Sequence, residues 1–157
     1  MNNSSLKIFV LDDDLLYRKM LVCYLESLGH QVAGFQTADE CLETLNQNPD
    51  VVLLDHNLEG EQKGVDVLRY IKHERPDIAA IYVTGEENVA LVSDVFRSGS
   101  EDFIGKDSAS LLRLKLKLDD LVKRKTDKAS KSKRTKYMVI GGAMVAIGYF
   151  IVRILLG

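Results

Sequence analysis

The chain has 157 residues, which is enough for one domain of ordinary size and a short appendage. Its formal net charge of −2 conceals an uneven distribution, because residues 1–122 carry 22 acidic and 12 basic side chains whereas residues 123–136 carry eight basic and one acidic. The acidic body argues against a nucleic-acid-binding surface, since phosphate contacts need clustered Lys and Arg, and two cysteines are too few for a disulfide framework or a four-cysteine metal site.

Apolar runs alternate with helical patterns from residue 6 to about residue 122. The predicted strands are short and apolar: Leu6–Leu11, Val32–Phe35, Val51–Leu54, Ile78–Thr84 and Phe103–Gly105. The predicted helices follow a helical pattern, with apolar residues recurring at about the 3.6-residue period: Leu15–Ser27, Thr37–Gln47, Val65–Glu74, Glu86–Ser98 and Ser108–Lys123. This order predicts an α/β fold, a doubly wound five-stranded parallel sheet with helices on both faces.

Local signals predict where several helices begin and end. Thr37 followed by Glu40 predicts a capping box at the second helix. Gly29 and Gly99 each follow a helical pattern and predict left-handed C-terminal caps. Asp14 is interpreted as the N-cap of the first helix, with a role as a metal ligand as the alternative.

Polar side chains lie where the strands are predicted to end. Asp12 and Asp13 follow the first strand, Asp55 follows the third, Thr84 ends the fourth and Lys106 follows the fifth. Ligands of open parallel sheets bind at this carboxyl edge, where crowded carboxylates repel each other unless a cation lies between them. Oxygen ligands suit Mg²⁺, and a carboxylate beside such a metal can attack a phosphoryl group to form an aspartyl phosphate. A lysine and a hydroxyl would then neutralise the phosphoryl oxygens.

Four segments of the chain, in this order and spacing, resemble the receiver domain of bacterial response regulators. They read FVLDDDLLYR, DVVLLDHNLEG, IAAIYVTGEEN and GSEDFIGKD. The resemblance covers about residues 6–123 and implies a flavodoxin-like (βα)5 fold. It also implies that Asp55 is the phospho-acceptor. Asp12 and Asp13 would hold Mg²⁺ together with Asp55, with Asp13 as a direct ligand, and Asn57 would contribute its backbone carbonyl.

The same resemblance implies contacts to the phosphoryl group and a conformational switch. Thr84 and Lys106 would contact the phosphoryl group, and Phe103 would be the aromatic switch residue that turns inward with Thr84 on phosphorylation. Two residues depart from the family pattern, because Glu59 and Asp107 stand where receivers usually have proline. A cis bond often precedes the second of these prolines, and a non-proline cis bond costs about 3 kcal/mol. The departure at Asp107 therefore bears on how Lys106 is placed.

The C-terminal part predicts a membrane anchor. Residues 137–157 begin with a run of 20 residues that contains one charge, Arg153, and that is long enough as a helix to span a bilayer. The basic residues 124–136 precede it and predict contact with anionic lipids, with a nucleic-acid arm as the alternative. Gly142 and Ala146 form a small-residue pair that would allow a homodimer. We expect a single-pass protein of the inner, cytoplasmic membrane with residues 1–123 as a receiver domain on the cytoplasmic side, or a fragment whose tail begins a larger membrane domain.

The resemblance implies a two-component response regulator that is not an enzyme beyond self-catalysed acceptance and hydrolysis of its phosphoryl group. The phosphoryl donor would be a phosphohistidine of a histidine kinase or a histidine phosphotransfer protein. The output would be contact with another protein through the fourth helix, fifth strand and fifth helix, with no nucleic-acid partner. The alternative, favoured by Glu59 and Asp107, is a membrane-anchored scaffold that works without phosphorylation. His56 follows Asp55 and is expected to point to the other side of the third strand if that strand continues.

Overall fold

The computed structural model describes residues 5–60, 62–86 and 88–131. The strands of this part of the chain are β1 (Lys7–Leu11), β2 (Gln31–Phe35), β3 (Val51–Leu54), β4 (Ala79–Thr84) and β5 (Asp102–Gly105). The helices between them are α1 (Leu15–Ser27), α2 (Ala38–Glu43), α3 (Gly64–Glu74) and α4 (Val89–Arg97). Residues 110–131, after β5, are helical as well, and we call this helix α5.

The five strands form one parallel sheet in the order β2-β1-β3-β4-β5. This is the flavodoxin-like order, in which β2 lies on one side of β1 and the later strands are added on the other side, so that the strand order reverses between β1 and β3. β3 and β4 are buried along their whole length, which confirms the expectation drawn from the run of apolar residues in β3. The predicted five-stranded parallel sheet is therefore confirmed.

Helices cover the sheet on both faces. One core cluster joins alternate strand residues to α2, α3 and α4; it includes Phe9, Val52, Tyr82, Cys41, Ile71 and Val95. The intervening strand residues point to the opposite face because side chains alternate along a strand. On α1 and the first part of α5 the buried apolar residues are Leu21, Leu25, Leu114 and Leu118. The Tyr24 hydroxyl of α1 donates to the Leu111 carbonyl of α5 over 3.3 Å, so these two helices are neighbours.

The helix ends agree with most of the local signals. Asp14 caps α1 by accepting from the backbone N–H groups of Leu16 and Tyr17, and Thr37 caps α2. Gly29 and Gly99 adopt φ of +88° and +94°, as expected of left-handed caps. The predicted second helix was too long, because α2 ends at Glu43 and residues Leu45–Gln47 form a 3₁₀ turn. The fourth helix begins at Val89 rather than Glu86, since Asn88 caps it.

The structure divides into two units after Asp119, and the first unit contains the whole sheet. Residues 120–131 are the described part of the second unit and are helical. Across residues 5–60, 62–86 and 88–131, no helix combines the length and the apolar character needed to cross a membrane. The predicted membrane helix at 137–157 and residues 132–136 of the basic segment lie outside the described residues. The predicted boundaries at 123 and 136 stay predictions.

Candidate functional site

Three carboxylates meet at the carboxyl edge of the sheet. One ligand oxygen from each of Asp12, Asp13 and Asp55 lies within 4.8 Å of the others. Asp12 is 2% exposed and Asp55 is 6% exposed, whereas Asp13 is half-buried. β1 and β3 are adjacent and parallel, so their ends bring together residues that are more than 40 positions apart. Among the described residues this is a group of oxygen ligands of the kind that Mg²⁺ prefers.

The ammonium group of Lys106 lies between two of these carboxylates. Its Nζ is 2.8 Å from Asp55 Oδ2 and 2.8 Å from Asp12 Oδ2. The other oxygen of Asp55 accepts a hydrogen bond of 2.7 Å from the backbone N–H of His56. On its remaining side the ammonium group is covered by the ring of Tyr17, with Nζ 4.4 Å from the ring centroid. Lys106 is thus held over the carboxylates by charge and by an aromatic face.

The local electrostatics follow from this packing. Burial raises the pKa of Asp12 above its ordinary value of 3.8; the hydrogen bond and charge of Lys106 oppose the rise, and the charge of Asp55 adds to it. For Lys106, burial lowers the pKa, but the hydrogen bonds and charges of Asp12 and Asp55 outweigh burial and raise it overall. A second cation beside Asp12 would further favour its ionised form.

Helix α1 holds the backbone of the acidic segment in place. The backbone N–H of Asp14 donates to Asp12 Oδ1 over 3.0 Å, which leaves Oδ2 for Lys106. The guanidinium of Arg18 donates to the carbonyl oxygen of Asp12 from one turn further along α1. Arg18 is buried against Gly34 of β2, where its side chain carbons occupy the space that a Cβ would need. Sequence reasoning missed Arg18, although a basic residue one turn into α1 is visible in the sequence.

The hydroxyl-bearing residue at the end of β4 lies in the interior. Thr84 is fully buried, and its Oγ1 accepts a hydrogen bond of 3.2 Å from the backbone N–H of Glu86. Its carbonyl oxygen accepts from the backbone N–H of Lys106 over 2.9 Å, which joins the loops after β4 and β5. Asn57 is exposed on the loop after β3, and the role predicted for its carbonyl stays a prediction.

His56 contacts the neighbouring strand β4. β3 ends at Leu54, and the Nδ1 of His56 lies 2.8 Å from the hydroxyl of Tyr82, a residue of the same core cluster as Leu54. Its Nε2 lies 3.8 Å from a carboxylate oxygen of Glu86. The ring of Tyr82 is stacked on Phe103, with centroids 6.0 Å apart and planes at 17°. A chain of contacts therefore runs from the residue after Asp55 to the predicted switch aromatic.

The start of α3 packs closely against this group. A Cβ on Gly64 would collide with the carbonyl oxygen of Asp55 and would lie 2.8 Å from the Tyr82 hydroxyl. The backbone N–H of Gly64 donates to the carbonyl oxygen of His56 over 3.0 Å. Only glycine allows this approach, so the start of α3 packs directly against the backbone of Asp55 and against Tyr82 of β4.

The described residues contain no cis peptide bond, in agreement with the presence of Asp107 rather than proline after Lys106. The arrangement at this edge can hold a divalent cation with carboxylate oxygens, present one carboxylate as a nucleophile and place an ammonium group beside it. The sequence located each of these groups by its position at a strand end. The ring of Tyr17 was not foreseen, although it lies one helical turn after Asp14.

Comparison with known proteins agrees with this geometry. A family model described as the response regulator receiver domain matches residues 8–117. The luminescence regulatory protein LuxO of Vibrio campbellii is 31% identical over 112 residues, which are 71% of this chain and 23% of LuxO. The C4-dicarboxylate transport transcriptional regulatory protein DctD of Rhizobium meliloti is 32% identical over 104 residues, 66% of this chain and 22% of DctD. The chain thus spans less than a quarter of the length of these relatives.

Solved structures show the same fold. NtrX from Brucella abortus superposes with a TM-score of 0.70 at 27% identity, covering 83% of this chain and 31% of NtrX. A CheY-like response regulator receiver domain protein from Methanospirillum hungatei superposes with a TM-score of 0.67 at 27% identity, covering 75% of this chain and 97% of the other.

Proposed function

The chain belongs to the response regulator receiver domain family of two-component signalling, and from this premise we propose that it accepts a phosphoryl group on Asp55 in a Mg²⁺-dependent reaction. The observation that supports the proposal is the position of Lys106 Nζ, 2.8 Å from both Asp55 and Asp12, beside a cluster of three carboxylates. Phosphoryl transfer to an aspartate needs a carboxylate nucleophile and positive charge beside the phosphoryl oxygens. Asp55 supplies the first, and Lys106 with a cation held by the carboxylates would supply the second.

The proposed donor is a phosphohistidine of a histidine kinase or a histidine phosphotransfer protein. A carboxylate oxygen of Asp55 attacks phosphorus, the P–N bond of the phosphohistidine breaks, and the imidazole leaves with the electron pair. Asp12, Asp13 and Asp55 would hold Mg²⁺, which supplies positive charge to the phosphoryl oxygens. Lys106 would exchange its contact with Asp55 for a phosphoryl oxygen, and the buried hydroxyl of Thr84 would take up another.

Exposed apolar side chains beside the site support docking of a protein donor. Leu15, Leu16 and Met20 lie on α1 directly after the acidic segment, and Leu16 is 79% exposed. Clustered apolar residues on a surface mark interaction sites. For the output we propose the surface formed by α4, β5 and α5. Val89 of α4 is 87% exposed there, and Phe96 is also exposed.

We propose further that the protein signals at a membrane. The support is the sequence of residues 137–157 together with the basic side chains of the preceding segment, of which residues 123–131 are helical. A chain shortened after residue 136 should be released from the membrane fraction, whereas the full chain should remain in it after alkaline carbonate washing. Release of the full chain by carbonate would overturn the anchor.

The acceptor is tested by incubating the protein with Mg²⁺ and acetyl phosphate and measuring the phosphoryl adduct by intact mass. Asp55→Asn should abolish the adduct, and omission of Mg²⁺ should do the same. Asp14→Asn is the matched control, because it removes a neighbouring charge while asparagine still caps α1. An adduct that persists on Asp55→Asn would contradict the assignment.

A scaffold that works without phosphorylation is the second candidate, favoured by Glu59 and Asp107 at positions where the family usually has proline. The two candidates differ in the behaviour of Asp55→Asn. If partners recovered from detergent extracts are the same for Asp55→Asn and for the phosphorylated and unphosphorylated wild type, the scaffold is supported. Recovery that depends on phosphorylation supports the receiver.

A further inference from the structure

The lysine of the site stands on a short loop between β5 and α5. A lysine side chain has a flexible four-carbon stem, so its ammonium group is placed only as well as its backbone is placed. On one side, the backbone N–H of Lys106 donates to the Thr84 carbonyl. The loop turns tightly here, because the backbone N–H of Asp107 donates to the carbonyl of Gly105 over 2.9 Å.

One arginine of α5 contacts the loop on both sides of this lysine. Arg113 Nη2 lies 3.1 Å from the carbonyl oxygen of Gly105 and 2.7 Å from Asp107 Oδ2. The second carboxylate oxygen of Asp107 accepts a hydrogen bond of 2.8 Å from the backbone N–H of Ala109. Asp107 therefore ties the loop to the start of α5, and Arg113 ties both neighbours of Lys106 to the same helix.

The exposure of this pair indicates what it contributes. The side chains of Arg113 and Asp107 are 46% and 51% exposed, and half-exposed ion pairs add little to the stability of a fold. Their geometry is nevertheless specific, because the guanidinium group binds a carboxylate and a backbone carbonyl that flank one residue. The contact is suited to fixing the path of the loop rather than to holding the domain together.

We infer that Arg113 is a positioning residue for phosphoryl transfer. Its contacts with the carbonyl oxygen of Gly105 and the carboxylate of Asp107, which we call the Arg113 clasp, fix the ammonium group of Lys106 over Asp12 and Asp55. The inference rests on the proposed function, since it assigns a role within that reaction. In this chain the clasp supplies the constraint on the loop at the position where the family usually has proline. A misplacement of about 1 Å can cost up to about a hundredfold in rate.

The inference is tested by a double-mutant cycle on the rate of phosphorylation by acetyl phosphate with Mg²⁺. Arg113→Ala should lower the rate about three- to tenfold in the wild-type background and should have no effect in a Lys106→Ala background, because a positioning residue acts only through the residue it positions. Arg113→Lys should restore part of the rate. Lys115→Ala is the matched control, since it removes one charge and one ion pair from the same helix and should leave the rate unchanged.

Equal loss of rate in both backgrounds would mean a general structural effect and would overturn the inference, as would an unchanged rate of Arg113→Ala in the wild-type background. A second measurement does not need phosphorylation: acylation of Lys106 by an amine-reactive reagent, followed by mass spectrometry. Arg113→Ala should accelerate acylation of Lys106 relative to exposed Lys19, and an unchanged ratio would overturn the clasp. A wild type that takes no phosphoryl group but shows this acceleration would refute the proposed function and leave the clasp standing.

Discussion

The substitution Asp13→Asn should stabilise the protein in the absence of divalent cations. One ligand oxygen of Asp13 lies within 4.8 Å of one ligand oxygen each of Asp12 and Asp55. Two unit charges at this distance repel each other by about 3.5 kcal/mol at an effective dielectric constant of about 20. Lys106 contacts Asp12 and Asp55 directly and offsets their charge in part, and solvent screens the half-buried Asp13. We therefore expect a net gain of about 1–2 kcal/mol in the free energy of unfolding.

The assay is urea or thermal unfolding with EDTA and with saturating Mg²⁺. For a domain of this size the gain corresponds to a rise of about 3–6 °C in Tm. Wild type should gain stability from Mg²⁺, by about 2.7 kcal/mol at a hundredfold excess over Kd, and Asp13→Asn should lose this gain. Asp14→Asn should behave like wild type in both conditions, because Asp14 caps α1 and lies outside the cluster.

Two results would refute this reasoning. Lower stability of Asp13→Asn in EDTA would mean that the carboxylate is held by favourable contacts rather than crowded by like charges. Undiminished stabilisation of Asp13→Asn by Mg²⁺ would mean that the cation binds elsewhere.

Three further predictions follow from the packing around the site and in the core. Gly64→Ala should lower the free energy of unfolding by about 1–3 kcal/mol in urea, because a Cβ would meet a backbone carbonyl and the Tyr82 hydroxyl, whereas Gly85→Ala, with open space around it, should be tolerated. Tyr82→Phe should cost about 1 kcal/mol through loss of the hydrogen bond to the neighbouring histidine ring, and an unchanged urea midpoint would show that this bond is not formed in solution. Burial raises the pKa of Cys41 to about 12, so below that pH Cys41 should resist a thiol reagent that labels exposed Cys23. As pH rises above the ordinary thiol pKa of 9.0, the free energy of unfolding should fall, because only the unfolded chain releases the proton. Equal labelling of both thiols in the folded protein would contradict this prediction.

Much of the fold was predictable because its signals are local. The apolar run of Val51–Leu54 indicates a strand covered on both faces whatever surrounds it. Gly29 and Gly99 adopt positive φ, a conformation that glycine takes without steric cost wherever it lies in the fold. The length of the second helix was not predictable in this way. The hydroxyl of Thr44 donates to the carbonyl of Glu40 near the point where α2 gives way to a 3₁₀ turn, and the turn closes at Asn48 with φ of +55°.

The positions of the acidic residues and the lysine were predictable from one rule, that the carboxyl ends of parallel strands share an edge. Asp12, Asp55 and Lys106 meet there, as expected from their places after β1, β3 and β5. The contact of His56 with Tyr82, which lies in the same core cluster as Leu54, agrees with alternation along β3 although β3 ends two residues earlier.

By itself the sequence determined the order of strands and helices, the residues at the carboxyl edge and the family to which they point, because periodicity and turn chemistry act over a few neighbouring residues. Only the tertiary structure decided which atoms meet. Lys106 bridges Asp12 and Asp55, the ring of Tyr17 covers its ammonium group, and Arg113 contacts the residues on both sides of Lys106. The contacts of Lys106 join segments far apart in the chain, those of Arg113 join α5 to the loop before it, and the geometry of both depends on side-chain rotamers that packing selects. No local pattern encodes such a choice, since each side chain involved is compatible with several partners until the sheet and its helices are assembled.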